Sequence, residues 1–164
     1  MSEFLYPESK ALRLWEHAGL QCAIAPSNLG FVNGYVQVPP DHVAYGHDYD
    51  RISVDVHGGL TYANDRGWFG FDTGHGGDGW TTEALIGAGA NDGEARHTEF
   101  LRSFGVRNEW NLALLVTETE SLADQLAAMT ELPDPDKWNV TEEEFAQLLS
   151  DQKELRAIRR RARS

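Results

Sequence analysis

Hydrophobic and polar residues alternate most cleanly between positions 52 and 57. Ile52, Val54 and Val56 point one way, and Ser53, Asp55 and His57 the other, the period of two of a half-buried strand. Upstream, residues 20–25 and 31–38 are apolar runs joined by Pro26-Ser27-Asn28-Leu29-Gly30, a connection of turn formers that predicts a hairpin. A second hairpin is predicted where residues 60–63 and 68–72 flank Asn64-Asp65-Arg66-Gly67. Such short loops leave no room for parallel crossovers, so the strands should assemble as an antiparallel meander of four to five.

Three segments carry a helical pattern. Residues 8–18 place Leu12, Leu14 and Trp15 on one side of a short covering helix that Gly19 ends. Residues 108–132 repeat Leu112, Leu115, Leu122, Leu126 and Met129 at three-, four- and seven-residue steps, with Pro133 just beyond. After the stiff Pro133-Asp134-Pro135-Asp136, a capping box at Thr141-Glu142-Glu143-Glu144 opens a second long helix striped by Phe145, Leu148, Leu149, Gln152, Leu155 and Ile158. Residues 81–105, glycine-bearing and mixed, read as an irregular or locally helical excursion. Strands followed by helices predict an α+β fold: an antiparallel sheet of four to five strands covered by helices, with a long C-terminal helix. Residues 1–132 form the core domain, and 133–164 a linker and amphipathic helix with a basic tail.

Charge narrows the partners. The 164 residues carry a formal charge of -12, which opposes nucleic acid and anionic lipid. The five arginines 156, 159, 160, 161 and 163 concentrate positive charge at the C-terminus and leave -17 on the rest. This tail is expected to dock on the chain's own acidic domain or on a second subunit, the latter giving a homo-oligomer through the C-terminal helix. A single cysteine, Cys22, excludes an intrachain disulfide framework and a cysteine-based zinc site. Its apolar strand makes it an inert packing thiol. The acidic N-terminus lacks a signal-peptide pattern, and no apolar run approaches the ~20 residues that span a bilayer. No membrane partner and a cytoplasmic location are expected.

Eight of the 16 glycines fall between Gly58 and Gly79. The surrounding stretch concentrates Asp55, His57, Asp65, Asp72, His75 and Asp78 with Tyr62, Trp68 and Trp80. Three readings stay open. His57, Asp72, His75 and Asp78 have the donor chemistry to hold a divalent metal ion that polarises a phosphate or activates water, although Asp-x-x-His-x-x-Asp matches no standard zinc signature. Alternatively, backbone N–H groups near Gly74, Gly76 and Gly77 approach an anionic ligand while Tyr45, Tyr62, Trp68 or Trp80 stacks on a base; Arg51, Arg66 and Arg96 are the nearby cations. No cofactor is needed for that second reading. In the third, Gly58 and Gly59 form a bulge, the acids cap turns, and the histidines only hold structure. Trp15, Trp110 and Trp138 read as packing residues or lids. No G-x-S-x-G elbow, P-loop or dinucleotide fingerprint is present. An acid–base pair of His57 with Asp55 or Asp72 also remains open.

The block His57-Gly58-Gly59-Leu60-Thr61-Tyr62, then Trp68-Phe69-Gly70-Phe71-Asp72 and His75-x-x-Asp78, resembles a family of small uncharacterised proteins of bacteriophages and prophages, especially of actinobacteria. The resemblance extends upstream to Gly34-Tyr35-Val36-x-Val38-Pro39 with Tyr45-Gly46, and downstream to Glu118-x-Glu120-x-Leu122-Ala123-x-Gln125-Leu126, about two thirds of the chain. Those relatives read Cys-Ala-His-Ala-Gly-Asp where this chain has Thr73-Gly74-His75-Gly76-Gly77-Asp78, so no thiol role carries over. The resemblance implies a phage accessory protein in the host cytoplasm and supplies no activity. In that setting the leading expectation is a non-catalytic protein that sequesters a nucleotide-like immune signal. Its ligand-binding residues would be Asp55, His57, Gly58, Gly59, Tyr62, Trp68, Asp72, His75, Gly76, Gly77, Asp78 and Trp80. The rivals are a metal-assisted hydrolase of a phosphoester or glycosidic bond, and a protein-interaction or inhibitor protein working through its helices.

Overall fold

The two apolar runs that follow Gly19 form the middle of a five-stranded antiparallel sheet. The computed structural model describes residues 7–27, 31–91, 93, 100, 102–133 and 142–162. Strand β2 (Leu20–Pro26) pairs with β1 (Arg13–His17) on one side and β3 (Val32–Gln37) on the other. Beyond β3 lies β5 (Trp68–Phe71), with β4 (Tyr62–Ala63) at the edge, giving the order β1-β2-β3-β5-β4. The fold is therefore α+β, as the strand-then-helix pattern predicts. It departs from a simple meander in one respect: the chain leaves β3, makes the long excursion through residues 38–61, and returns to build the β4–β5 hairpin with β5 inside.

Register places Cys22 and Ile24 of β2, Val32, Gly34 and Val36 of β3, and Phe69 and Phe71 of β5 on one face of this sheet. Helix α3 (Leu112–Ala128) lies on that face and buries Leu115, Thr119, Leu122, Ala123 and Leu126. Contact is close enough that a Cβ at Gly34 would stand 2.3 Å from Thr119 Oγ1 and 2.7 Å from the Phe71 ring. Asn111 caps the helix by accepting from Leu114 N. Burial of each leucine is worth about 1.5–3 kcal/mol, more than the ~1 kcal/mol of a cap, so the sheet rather than the cap holds α3 in place.

Four sequence expectations are corrected. Residues 8–18 are not one helix: α1 is confined to Pro7–Lys10, and Arg13–His17 is the edge strand β1. Gly19 does not end a helix but completes a two-residue hairpin turn in which Ala18 (φ 52°) and Gly19 (φ 78°) are both left-handed, the twist a tight hairpin needs. Trp15 Nε1 then donates to Glu120 and His17 meets Asp124, which ties this strand to α3. Secondly, residues 52–57 alternate in burial as expected but join no sheet. Their main-chain partners are side chains of α3: Asp55 N donates to Gln125 Oε1 at 2.7 Å, Gln125 Nε2 donates to Asp55 O at 2.8 Å, and His57 N donates to Glu118 Oε1 at 2.6 Å. Thirdly, the pattern starting at Asn108 opens with strand β7 (Asn108–Trp110), and the helix begins at Leu112. Lastly, β7 pairs parallel with β6 (Asp78–Trp80). The intervening residues 81–107 are long enough for a parallel crossover, and they include α2 (Thr82–Ala88), capped by Thr81.

The chain divides into two compact units, Met1–Leu132 and Pro133–Ser164. In the second, α4 (Glu142–Ala162) is the long C-terminal helix, with Leu149 and Gln152 exposed. Thr141, and the side chains of Phe145, Leu148, Leu155 and Ile158, lie outside the described residues. No helix among the described residues is long and apolar enough to cross a membrane.

Candidate functional site

Three segments converge where the 52–57 segment ends. The α3 side chains Gln125 and Glu118 hold its main chain and deliver His57. The chain then turns through Gly58 and Gly59, both at positive φ, with Gly59 N donating to Val56 O. A Cβ at Gly58 would stand 2.2 Å from Cε1 of His75, so glycine is required there both by φ and by the ring it faces.

His75 comes from the β5–β6 loop, whose base is pinned in the core. Thr73 is fully buried; its N–H donates to Asn33 Oδ1, its hydroxyl donates to Val32 O, and it accepts from Trp80 Nε1 at 2.8 Å. From that anchor the loop turns back, with Asp78 N donating to His75 O, and β6 begins at Asp78. The β7 strand supplies the third wall. Its Asn108 Nδ2 donates to Asp78 Oδ1 at 3.1 Å, and the Trp110 ring stands edge-on to His57 at 4.8 Å.

At the centre is the Asp78 carboxylate, whose side chain is shut off from solvent. His57 Nε2 donates to its Oδ2 at 2.7 Å and the His75 main-chain N–H donates to the same oxygen at 3.1 Å. Burial pushes the Asp78 pKa up, but the hydrogen bonds from His57 and Asn108, the charge of His57 and the His75 N–H outweigh it, and the net direction is below the ordinary carboxylate value. Asp78 is thus a buried anion with one oxygen shared between two histidines. His75 Nδ1 sits 3.4 Å from that oxygen and 2.9 Å from Asp72 Oδ1, yet it is buried and in hydrogen-bonding geometry with neither. The two imidazoles meet edge to face at 5.4 Å. One donor atom each from His57, His75 and Asp78 all lie within 4.8 Å of one another, a grouping of metal-ligand type among the described residues.

The structure thus brings together His57, Asp72, His75 and Asp78, with Gly58 against the His75 ring and Gly77 against the Arg107 stem. It places the other expected residues differently. Trp68 and Trp80 are core residues, 1% and 0% exposed, and offer no open ring face for stacking, because register and the Thr73 bond turn them inward. Tyr62 packs edge-on against Tyr35 at the β4 edge, and its hydroxyl accepts from Asn64 Nδ2. Asp55 is exposed and is held by its main chain, so neither it nor Tyr62 makes a described contact with the histidines. Gly59 and Gly76 face open space. Of the expected cations, Arg66 pairs with Glu8, and Arg96 lies outside the described residues, as does Trp138. Cys22 is buried, and burial, reinforced by the charge of Glu120, lifts its thiol to about 11, so it is inert at neutral pH.

Sequence reasoning missed Asn108, Trp110, Glu118 and Gln125 as parts of this site. Glu118 and Gln125 carried a signal: two polar residues seven apart, and so on one side of the helix, flanking the buried Leu122. The fold and the site together define an α+β protein with a two-histidine, one-carboxylate cluster at the junction of a clamped segment, a pinned loop and a parallel strand pair. No family model, curated protein or solved structure matches the chain.

Proposed function

We propose that His57, His75 and Asp78 hold a divalent transition-metal ion and that the protein is a metal-assisted hydrolase. The convergence of the three donor atoms carries this reading. Metal–ligand bonds of about 2.0–2.1 Å in a tetrahedral shell set ligand atoms roughly 3.3 Å apart, and Asp78 Oδ2 stands 2.7 Å from His57 Nε2 and 3.4 Å from His75 Nδ1. Without an ion a hydrogen bond joins His57 and Asp78; an ion held by these residues would replace its proton and would give the unsatisfied His75 nitrogen a partner. Two imidazoles and a carboxylate suit zinc, manganese, iron or cobalt better than magnesium, which prefers an all-oxygen shell.

Three protein ligands leave a coordination position for water or substrate, the pattern of catalytic rather than structural sites. The surrounding bonds supply what such a site requires around its ligands: Asn108 orients the second oxygen of Asp78, Glu118 fixes the His57 main chain, and Asp72 flanks His75. A bound ion would supply water of lowered pKa and polarisation of the bond to be cut. The water oxygen bonds to the scissile centre, the ester or glycosidic bond breaks, and the water proton passes to the leaving oxygen. Hydrolysis is preferred to capture because Trp68 and Trp80, the expected stacking platforms, are closed in the core. In the phage setting implied by the motif resemblance, such an enzyme would destroy a host signal rather than sequester it.

The test is turnover of bis(p-nitrophenyl) phosphate and of p-nitrophenyl glycosides by protein stripped with chelator and reloaded with Zn²⁺ or Mn²⁺. Expected is metal-dependent turnover that His75→Ala and Asp78→Asn abolish. Turnover indifferent to chelation and to both substitutions, or none in any loaded form, overturns the hydrolase reading.

A further inference from the structure

We infer that the substrate of this site is a phosphoester, whose anionic oxygen is received by Trp110 Nε1 and Arg107. The inference rests on the metal reading above and chooses between its two substrate classes.

Trp80 and Trp110 are direct partners in the β6–β7 register, and both are buried, at 0% and 8% exposed. Their indole N–H groups differ. Trp80 Nε1 donates to Thr73 Oγ1 at 2.8 Å, whereas Trp110 Nε1 is buried with no acceptor. Buried donors are almost always satisfied, so an open one calls for an explanation; Trp68 Nε1 is open as well, and what distinguishes Trp110 is its place. The open donor belongs to the residue whose ring packs on His57, a proposed metal ligand. A ligand oxygen held at the cluster would be the acceptor that this indole lacks.

Arg107 points to the charge of that ligand. Its main-chain N–H donates to Gly77 O, and its side-chain stem runs along Gly77, where a Cβ would stand 3.5 Å from its Cβ and Cδ. Gly77 immediately precedes Asp78. Arg66 and Arg102 are paired with Glu8 and Glu109, but among the described residues no carboxylate pairs with Arg107. Among the carboxylates of the cluster, Asp72 and Asp78, Arg107 is a cation without a carboxylate partner among the described residues, which a neutral glycoside does not require and an anion does. In the reaction, the water oxygen bonds to phosphorus, the P–O bond to the alcohol breaks, and the proton from water leaves with the alcohol. The oxygen held by Trp110 and Arg107 is a non-bridging one and stays on phosphorus.

The test titrates inorganic phosphate into full-length, Zn²⁺-loaded protein by calorimetry, comparing wild type with Trp110→Phe and Arg107→Gln, each checked for its own Zn²⁺ affinity. The expected result is phosphate binding weakened about tenfold or more in each variant, the worth of a hydrogen bond to a charged group, with Zn²⁺ affinity unchanged. In ¹⁵N spectra the Trp110 indole resonance should move on phosphate addition while that of Trp80 stays. Arg107→Gln, on an exposed position, decides the matter if Trp110→Phe does not fold. Zn²⁺ uptake with no phosphate binding, or with phosphate binding that neither variant weakens, overturns this inference and leaves the metal reading standing. No Zn²⁺ uptake by the wild type overturns both.

Discussion

Gly58 and Gly59 are adjacent, both left-handed, and differ in what lies beyond them, which makes the pair a direct test of how the site is built. Alanine at either position adopts a positive φ at a cost of about 1–2 kcal/mol. At Gly59 (φ 78°) nothing lies within 4 Å of the new Cβ, so that is the whole effect. At Gly58 (φ 67°) the Cβ would stand 2.2, 2.4 and 2.7 Å from Cε1, Nε2 and Nδ1 of His75, a separation that no ring rotation in place relieves. His75 must move aside, and because its ring ends a side chain that is 35% exposed, the added cost lies towards the low end of core overpacking, about 1–3 kcal/mol. Thermal melts should show Gly59→Ala lowered by about 2–8 °C, taking 2–4 °C per kcal/mol for a chain of this size, and Gly58→Ala lowered further. Metal titration separates the two effects: Gly59→Ala should keep wild-type affinity and Gly58→Ala should lose it. Equal melting shifts with equal metal affinities would refute the argument that Gly58 exists to admit His75.

Other consequences follow from the same contacts. Gln125→Ala removes both bonds to the Asp55 main chain and should destabilise by about 1–3 kcal/mol, with faster hydrogen exchange at the Asp55 amide. Gly34→Ala forces Thr119 and the Phe71 ring apart in a fully packed layer and should cost at least about 1–3 kcal/mol by denaturant titration, with no change in the site beyond that explained by unfolding. Cys22 has its folded pKa raised to about 11. The unfolded chain ionises first, so the stability it contributes is complete below about 9 and falls as pH rises towards 11. Alkylation of native protein at pH 8 should accordingly track global unfolding, and a fast unfolding-independent reaction would contradict the burial.

The parts of the fold legible in the sequence were those where hydrophobicity and turn chemistry agree. The β2–β3 hairpin shows two apolar runs and a turn-former connection, and Asn64 to Gly67 marks the β4–β5 turn in the same way. The 52–57 segment was half legible: alternation reports which residues face inward, but not what satisfies the main chain, and here Gln125 and Glu118 do so from 70 and 61 positions away. The first element misled because Gly19 serves a helix end and a tight hairpin equally well. The deciding residue, Ala18 at φ 52°, is of a type that seldom adopts that conformation. The parallel β6–β7 pair left no local trace, being separated by residues 81–107. Asn108 and Trp110 were hidden with it, inside what reads as the start of a helix. The polar side of the site was visible as the glycine-rich run holding His57, Asp72, His75 and Asp78; what composition could not reveal is that Trp68 and Trp80 serve the core while the later Trp110 stands against the histidines.

The central claim is that His57 Nε2, His75 Nδ1 and Asp78 Oδ2 form one cation site. Titrating the ion-free protein with Co²⁺ and recording its visible absorption tests this most directly, because the intensity of those bands reports coordination geometry. The account predicts one Co²⁺ per chain with the strong bands of a four- or five-coordinate ion, lost in Asp78→Asn and in His75→Ala. A spectrum that stays that of the aqueous ion throughout the titration would contradict it.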